Sequence, residues 1–226
     1  MKRKFFTSSW ASALALVIGS GVLLGACGAT PGAQPDDMSA DHHRQMAAEE
    51  DRKAREHDAH FDPAEQATIK TAGTDAQGDV IYAPVVYNPT EVHLKIAGKH
   101  RKHAEDHRAA AEALDKFEEQ QCKSFPPETR KVCPLLGQLE SVQDIDGGVR
   151  VRFSKGVNMD AATDHVLCHL AYGRTQGRQG MDSCPLYIKG VAAKRVGDSN
   201  DLDLTVEDEA SVRGLRARAA THVTPE

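Results

Sequence analysis

Val142-Gln143-Asp144-Ile145-Asp146-Gly147-Gly148-Val149-Arg150-Val151-Arg152-Phe153 reads as a β-hairpin. Val149, Val151 and Phe153 alternate with Arg150 and Arg152, so one face is apolar and the other faces water. Asp146-Gly147-Gly148 supplies the turn. A helix follows from Asp160 to about Tyr172, with Ala162, Val166 and Leu170 on one side. After a Gly-rich loop at 174–183 the order repeats. Ile188 to Val196 is predicted as a strand, 197–200 as a turn, and Asp201 to Val206 as a strand with Leu202, Leu204 and Val206 inward. Asp208 then caps a last helix carrying Val212, Leu215 and Ala219. Two strand–strand–helix units in series predict an α+β fold, a small antiparallel sheet with helices on one face.

Upstream, Asn88-Pro89-Thr90-Glu91 is a helix start, with Asn88 as cap and Pro89 in the first position. The helix should fill residues 89–123, with Ile96, Ala110, Leu114 and Phe117 at helical spacing and Gly98 as a weak interruption. Ser124-Phe125-Pro126-Pro127 ends it. Residues 40–58 are polar all round, and a helix without an apolar stripe buries nothing. The expectation is a mostly disordered polar tether over 27–88. Val80-Ile81-Tyr82-Ala83-Pro84-Val85-Val86-Tyr87 is its one apolar run, and Pro84 makes it an edge strand or an extended docking segment.

The N-terminus carries an address. Lys2, Arg3 and Lys4 precede an uncharged stretch from Phe5 to Leu24. A basic start, a short apolar run and a small-residue end form a secretion signal. Leu24-Gly25-Ala26-Cys27 resembles the bacterial lipobox. That resemblance implies cleavage after Ala26, lipid on Cys27, and a cell-envelope location with the membrane as the partner of the N-terminus. Gly28 stands where inner-membrane retention would want an Asp, which favours the outer membrane. The chain thus divides into a signal peptide (1–26), an anchor and tether (27–88), a His-rich helix (89–123), an α+β domain stapled by disulfides (124–222) and a tail (223–226).

The formal charge is −5, and losing Lys2, Arg3 and Lys4 with the signal takes it to −8. Nucleic acid, which needs a basic footprint, is excluded as a partner. Besides the anchor, Cys122, Cys133, Cys168 and Cys184 remain. An even set in an oxidising compartment is expected to pair. Three connectivities exist. Cys122–Cys133 and Cys168–Cys184 are favoured because each closes a short, turn-rich loop.

His93, His100, His103 and His107 fall within one arc of the long helix, and His103 and His107 have the i, i+4 spacing of a two-imidazole metal clamp. They form a candidate Zn or Cu site; the bland alternatives are a solvated helix surface, or packing of His100, His103 and His107 at the polar end of a helix–helix seam. His165, Cys168 and His169 share another helix face, but a paired Cys168 would be no nucleophile. Asp198 to Asp203 fails the calcium-loop pattern, with Leu202 at its fifth position. No Gly-x-Ser-x-Gly, phosphate-cradling Gly loop or His-Glu-x-x-His occurs. The chain therefore does not read as an enzyme, and no cofactor beyond Zn or Cu is implied.

Cys168-His169-Leu170-Ala171, Cys184-Pro185-Leu186 and Lys189-Gly190-Val191 resemble a group of uncharacterised proteobacterial lipoproteins over about 100 C-terminal residues. The resemblance implies a small α+β domain with Cys168 and Cys184 as landmarks, and no activity. Three functions follow as expectations: a non-catalytic interaction or structural module that binds an envelope partner, a metal-binding lipoprotein, and, most remotely, a Cys/His enzyme.

Overall fold

The computed structural model describes residues 31–223. The expected signal peptide at 1–26, the expected lipidation site Cys27 and the last three residues lie outside them.

The hairpin predicted at 142–153 is β3 (Leu139–Ile145) with β4 (Gly148–Phe153), joined through Gly147 at φ 68°. Helix α4 (Met159–Gln176) follows, capped by the Asn158 side chain and closed by Gly177 in the left-handed region. The second unit is β5 (Ala192–Arg195), β6 (Asp201–Thr205) and α5 (Glu209–Ala220), which the Asp208 side chain caps. The sheet is antiparallel in the order β3-β4-β6-β5.

Val149, Val151, Phe153, Leu202 and Leu204 are buried on one face and pack with Val166, Val212, Leu215 and Ala219 from the two helices. The opposite face carries Arg150 bidentate to Asp203 (2.7 and 2.9 Å) and Arg152 bidentate to Asp201 (2.8 and 3.1 Å). The backbones of β4 and β6 approach so closely at Gly148 that a Cβ there would stand 1.9 Å from the Leu204 carbonyl oxygen. The fold is α+β, as the alternation of apolar residues predicted. The strand expected from Ile188 is shorter, because Pro185–Tyr187 forms a 3-10 turn and Gly190 has a positive φ of 84°.

Helix α2 (Glu91–Cys122) is unbroken by Gly98. Asn88 does not cap it directly; its side chain accepts from the Thr90 N–H (2.8 Å) and shapes the preceding turn. At 1.5 Å per residue, α2 is about 48 Å long. Its C-terminal part joins the α+β domain: Leu114 is buried, Thr175 donates to the Leu114 carbonyl (3.1 Å), and a disulfide links Cys122 to Cys168 on α4. The favoured pairings, Cys122–Cys133 and Cys168–Cys184, are therefore corrected. Packing of α2 on α4 brings Cys122 to Cys168, whereas α3 (Pro127–Arg130) and the turn after it carry Cys133 away from Cys122 and toward Cys184.

The expectation of a disordered tether is also corrected. Residues 40–59 form helix α1 (Ala40–Ala59), capped by Ser39, which packs antiparallel along the N-terminal part of α2. Strands β1 (Ala67–Thr74) and β2 (Val80–Tyr87) then pair as a second, two-stranded sheet. The stripe that holds α1 is made of alanines. Ala40, Ala47 and Ala54 recur every seven residues, as do Ala97, Ala104 and Ala111 on α2, and all six are buried. Small residues bury little area but let two helices approach closely. The molecule is thus a stapled α+β base with a helical stalk and a hairpin beyond it.

Candidate functional site

The positions between the alanines are polar. On α1 they are His43, Glu50 and His57; on α2 they are His107, His100 and His93, again at seven-residue steps running the opposite way. Three polar layers result. His43 Nδ1 and His107 Nδ1 lie 2.9 Å apart, and both rings are buried. Glu50 accepts from His100 Nδ1 (2.6 Å), lies 3.4 Å from His103 Nδ1, and takes a further bond from Lys53 (2.8 Å). His57 Nδ1 and His93 Nδ1 lie 3.0 Å apart. Arg44 with Asp115, Arg108 with Asp51 (2.8 Å) and Arg101 with Asp58 (2.7 Å) repeat the same step along the rim and fix the register.

Each imidazole pair shares one proton: one ring donates and the other accepts. Burial pushes the His43 and His107 pKa values down, and for His107 the neighbouring His103 and His43 add to it. Burial alone would raise Glu50, but the bonds from His100 and Lys53 outweigh it and bring its pKa down to about 2. The Nε2 atoms of His43, His103 and His107 are buried without a hydrogen-bond partner among the described residues.

All four predicted histidines therefore line the seam, but they do not converge. His93 and His107 are fourteen residues apart, about 21 Å along a helix. His103 and His107 stack at 4.7 Å, with their Nδ1 atoms facing different partners, Glu50 and His43. The sequence offers His43 and His57 as further histidines of a tether, but their pairing with α2, and the part of Glu50, were missed. The seven-residue alternation of Ala with His or Glu was the signal.

A second cluster lies in the base. Cys133 Sγ and Cys184 Sγ are 3.0 Å apart, and His169 Nε2 is 3.5 Å from Cys184 Sγ. All three side chains are buried. They are the only trio of potential ligand atoms within 4.8 Å of one another among the described residues. Burial lowers the His169 pKa to about 4, against a bond to the Arg130 carbonyl that raises it. The Cys184 thiol donates to Cys133 and lowers the Cys133 pKa, while burial opposes this; Cys184 itself is pushed up by the same contact. Cys168 is consumed by its disulfide, so the Cys168–His169 nucleophile pair is not available.

The chain matches no family model, no curated protein and no solved structure. No helix among the described residues is long and apolar enough to cross a membrane.

The third feature is the β1–β2 hairpin. Its turn is well built: the Asp75 carboxylate accepts from the Gln77 and Asp79 N–H groups (3.0 and 2.9 Å), and Gly78 takes a φ of 89°. Its neck is closed by Asn88 donating to the Asp62 carbonyl (2.7 Å) and Asp62 N–H donating to Thr90 (3.0 Å). The strands pack essentially only on each other. Ile69, Ile81, Val85 and Tyr87 are exposed on one face and Val80, Tyr82 and Val86 on the other, with Tyr82 70% accessible. Both edges are unpaired among the described residues.

Proposed function

We propose that this chain is a non-catalytic, lipid-anchored envelope lipoprotein that captures an extended segment of another envelope protein by strand addition to the β1–β2 hairpin. The observation that carries the reading is a hairpin apolar on both faces, with two open edges. Exposed apolar patches of this kind mark interaction surfaces. Open edges offer main-chain hydrogen bonds to an added strand, and the apolar side chains flanking them offer specificity. The same edges disfavour hydrocarbon as the occupant, because lipid leaves strand edges unsatisfied. Lipid on Cys27 would hold the base at the outer membrane, and α1, about 30 Å long, would present the hairpin at a distance from it.

The test is a photoreactive amino acid placed at Tyr82 or Val86, and at exposed Lys116 as a control, in intact cells. One envelope protein should cross-link from the hairpin, not from Lys116, and should be lost with Val86→Pro. Adducts only to lipid, or only to a second copy of this chain, would contradict the proposal.

A second reading is metal binding, Zn or Cu, by the stalk histidines. The paired Nδ1 atoms at 2.9 and 3.0 Å favour it. Calorimetry with each ion on the mature chain should then show saturable binding that His43→Ala with His107→Ala weakens at least tenfold. Heats unchanged by that pair of substitutions would discard it.

A further inference from the structure

The base holds three buried side chains that meet from three separate stretches of chain, with a fourth, His222, beside them. Cys133 follows α3, His169 is on α4, Cys184 precedes the 3-10 turn, and His222 follows α5. His222 adjoins Cys133 but stands outside the trio of Cys133, His169 and Cys184, whose ligand atoms lie within 4.8 Å of one another. The sulfurs of Cys133 and Cys184 face each other at 3.0 Å.

Both histidines are oriented in the same way. His169 Nδ1–H donates to the Arg130 carbonyl (2.7 Å), and His222 Nδ1–H to the Arg218 carbonyl (2.9 Å), with Thr221 Oγ1 also near (3.3 Å). That bond sets the tautomer and leaves the lone pair on Nε2. A backbone carbonyl behind Nδ1 is the usual outer support of a metal-binding imidazole.

We propose that Cys133, His169 and Cys184 bind a divalent d10 cation, Zn2+, and that the neighbouring His222 closes in as the fourth, tetrahedral ligand. Two thiolates and two neutral imidazoles match the donor preference and coordination number of a structural zinc site. Bonds of about 2.3 Å to sulfur would set the two sulfurs about 3.8 Å apart in a tetrahedron, so the pair opens slightly on binding. The competing state is a Cys133–Cys184 disulfide. It would leave His169 Nε2 buried with no donor, at the cost of an unmet hydrogen bond. Zinc meets that lone pair and also ties the end of α5 to α4 and to the segment between α3 and β3. The site is separate from the stalk histidines and does not depend on the hairpin reading.

The experiment uses the mature chain carrying Cys27→Ser, without an affinity tag, loaded with Zn2+ and dialysed. Bound zinc is measured by elemental analysis, and thiols are titrated after unfolding with and without chelator. One zinc per chain is expected, with two thiols that react only when chelator is present. His222→Ala, beyond the last helix, should lower zinc affinity at least tenfold with the circular dichroism of the fold retained, and His43→Ala with His107→Ala should not change it. Co2+ in place of Zn2+ should give the ligand-field bands of a tetrahedral thiolate site, altered by His222→Ala. No thiols after unfolding would show the disulfide instead. Two thiols with no retained zinc, or zinc lost only in the stalk variant, would equally overturn the proposal.

Discussion

The stalk and the base are held by different chemistry. In the base, β4 and β6 present Val149, Val151, Phe153, Leu202 and Leu204 to two helices, and a disulfide staples α2 to α4. In the stalk, alanine layers alternate with His–His and Glu–His layers, and Leu114, packed on Ala40 at the end nearest the base, is the large apolar side chain of the buried cluster between the helices. The difference teaches where each part draws its stability. The base relies on apolar area removed from water, which pH barely touches. The stalk has little such area, so its cohesion depends on proton sharing, ion pairs and close approach. A projecting element held this way can loosen while its base stays folded.

The largest effects should fall on the base. Phe153→Ala leaves a cavity in a fully packed cluster and should cost about 3–5 kcal/mol in chemical denaturation, with the sheet lost. Replacing Cys122 and Cys168 by Ala frees a loop of 46 residues and should cost about 4 kcal/mol by the chain-entropy argument. The unfolding midpoint of the base should fall strongly.

In the stalk, Ala104→Leu forces a large side chain between helices spaced for methyl groups. It should cost about 1–3 kcal/mol. Amide exchange should speed up in α1 and the facing half of α2, leaving β4 and β6 protected. Equal loss of protection in both regions would erase the distinction between them. The smallest effect belongs to the rim: Arg108→Ala removes an exposed pair with Asp51 and should change stability by less than about 1 kcal/mol, an effect that salt should weaken.

The base could be read from the sequence because its period is plain. Val149-Arg150-Val151-Arg152-Phe153 and Leu202-Asp203-Leu204 alternate strictly, and the helices after each hairpin carry caps at Asn158 and Asp208. The stalk could not be read in the same way. Its stripe is alanine, which scales weigh lightly, and the polar residues between the alanines make sense only once α2 lies opposite. Val80 to Tyr87 was expected as extended and apolar, but its partner β1 has only Ile69 as a large apolar residue. The disulfide depended on α2 crossing α4, which loop lengths do not encode. His222 carried no local signal at all; a lone histidine near the chain end gains meaning only when α5 sets it beside Cys133.

Amide exchange measured at pH 7.5 and pH 5.5 tests the central distinction most directly. The folded pKa values of His43 and His107 lie below the ordinary 6.5 because burial disfavours their charged forms. The unfolded stalk therefore binds protons first, so its stability is intact above pH 6.5 and falls as pH drops below it. The base has its own acid cost at His169, lost between 6.5 and about 4, so His43→Leu with His107→Leu isolates the seam. The protection factors of α1 amides, taken relative to intrinsic exchange at each pH, should fall at pH 5.5 in the native chain, and that fall should vanish in the leucine variant. Protection in α1 that is the same at both pH values, or that falls equally with leucine in the layer, would contradict a stalk held by its histidines.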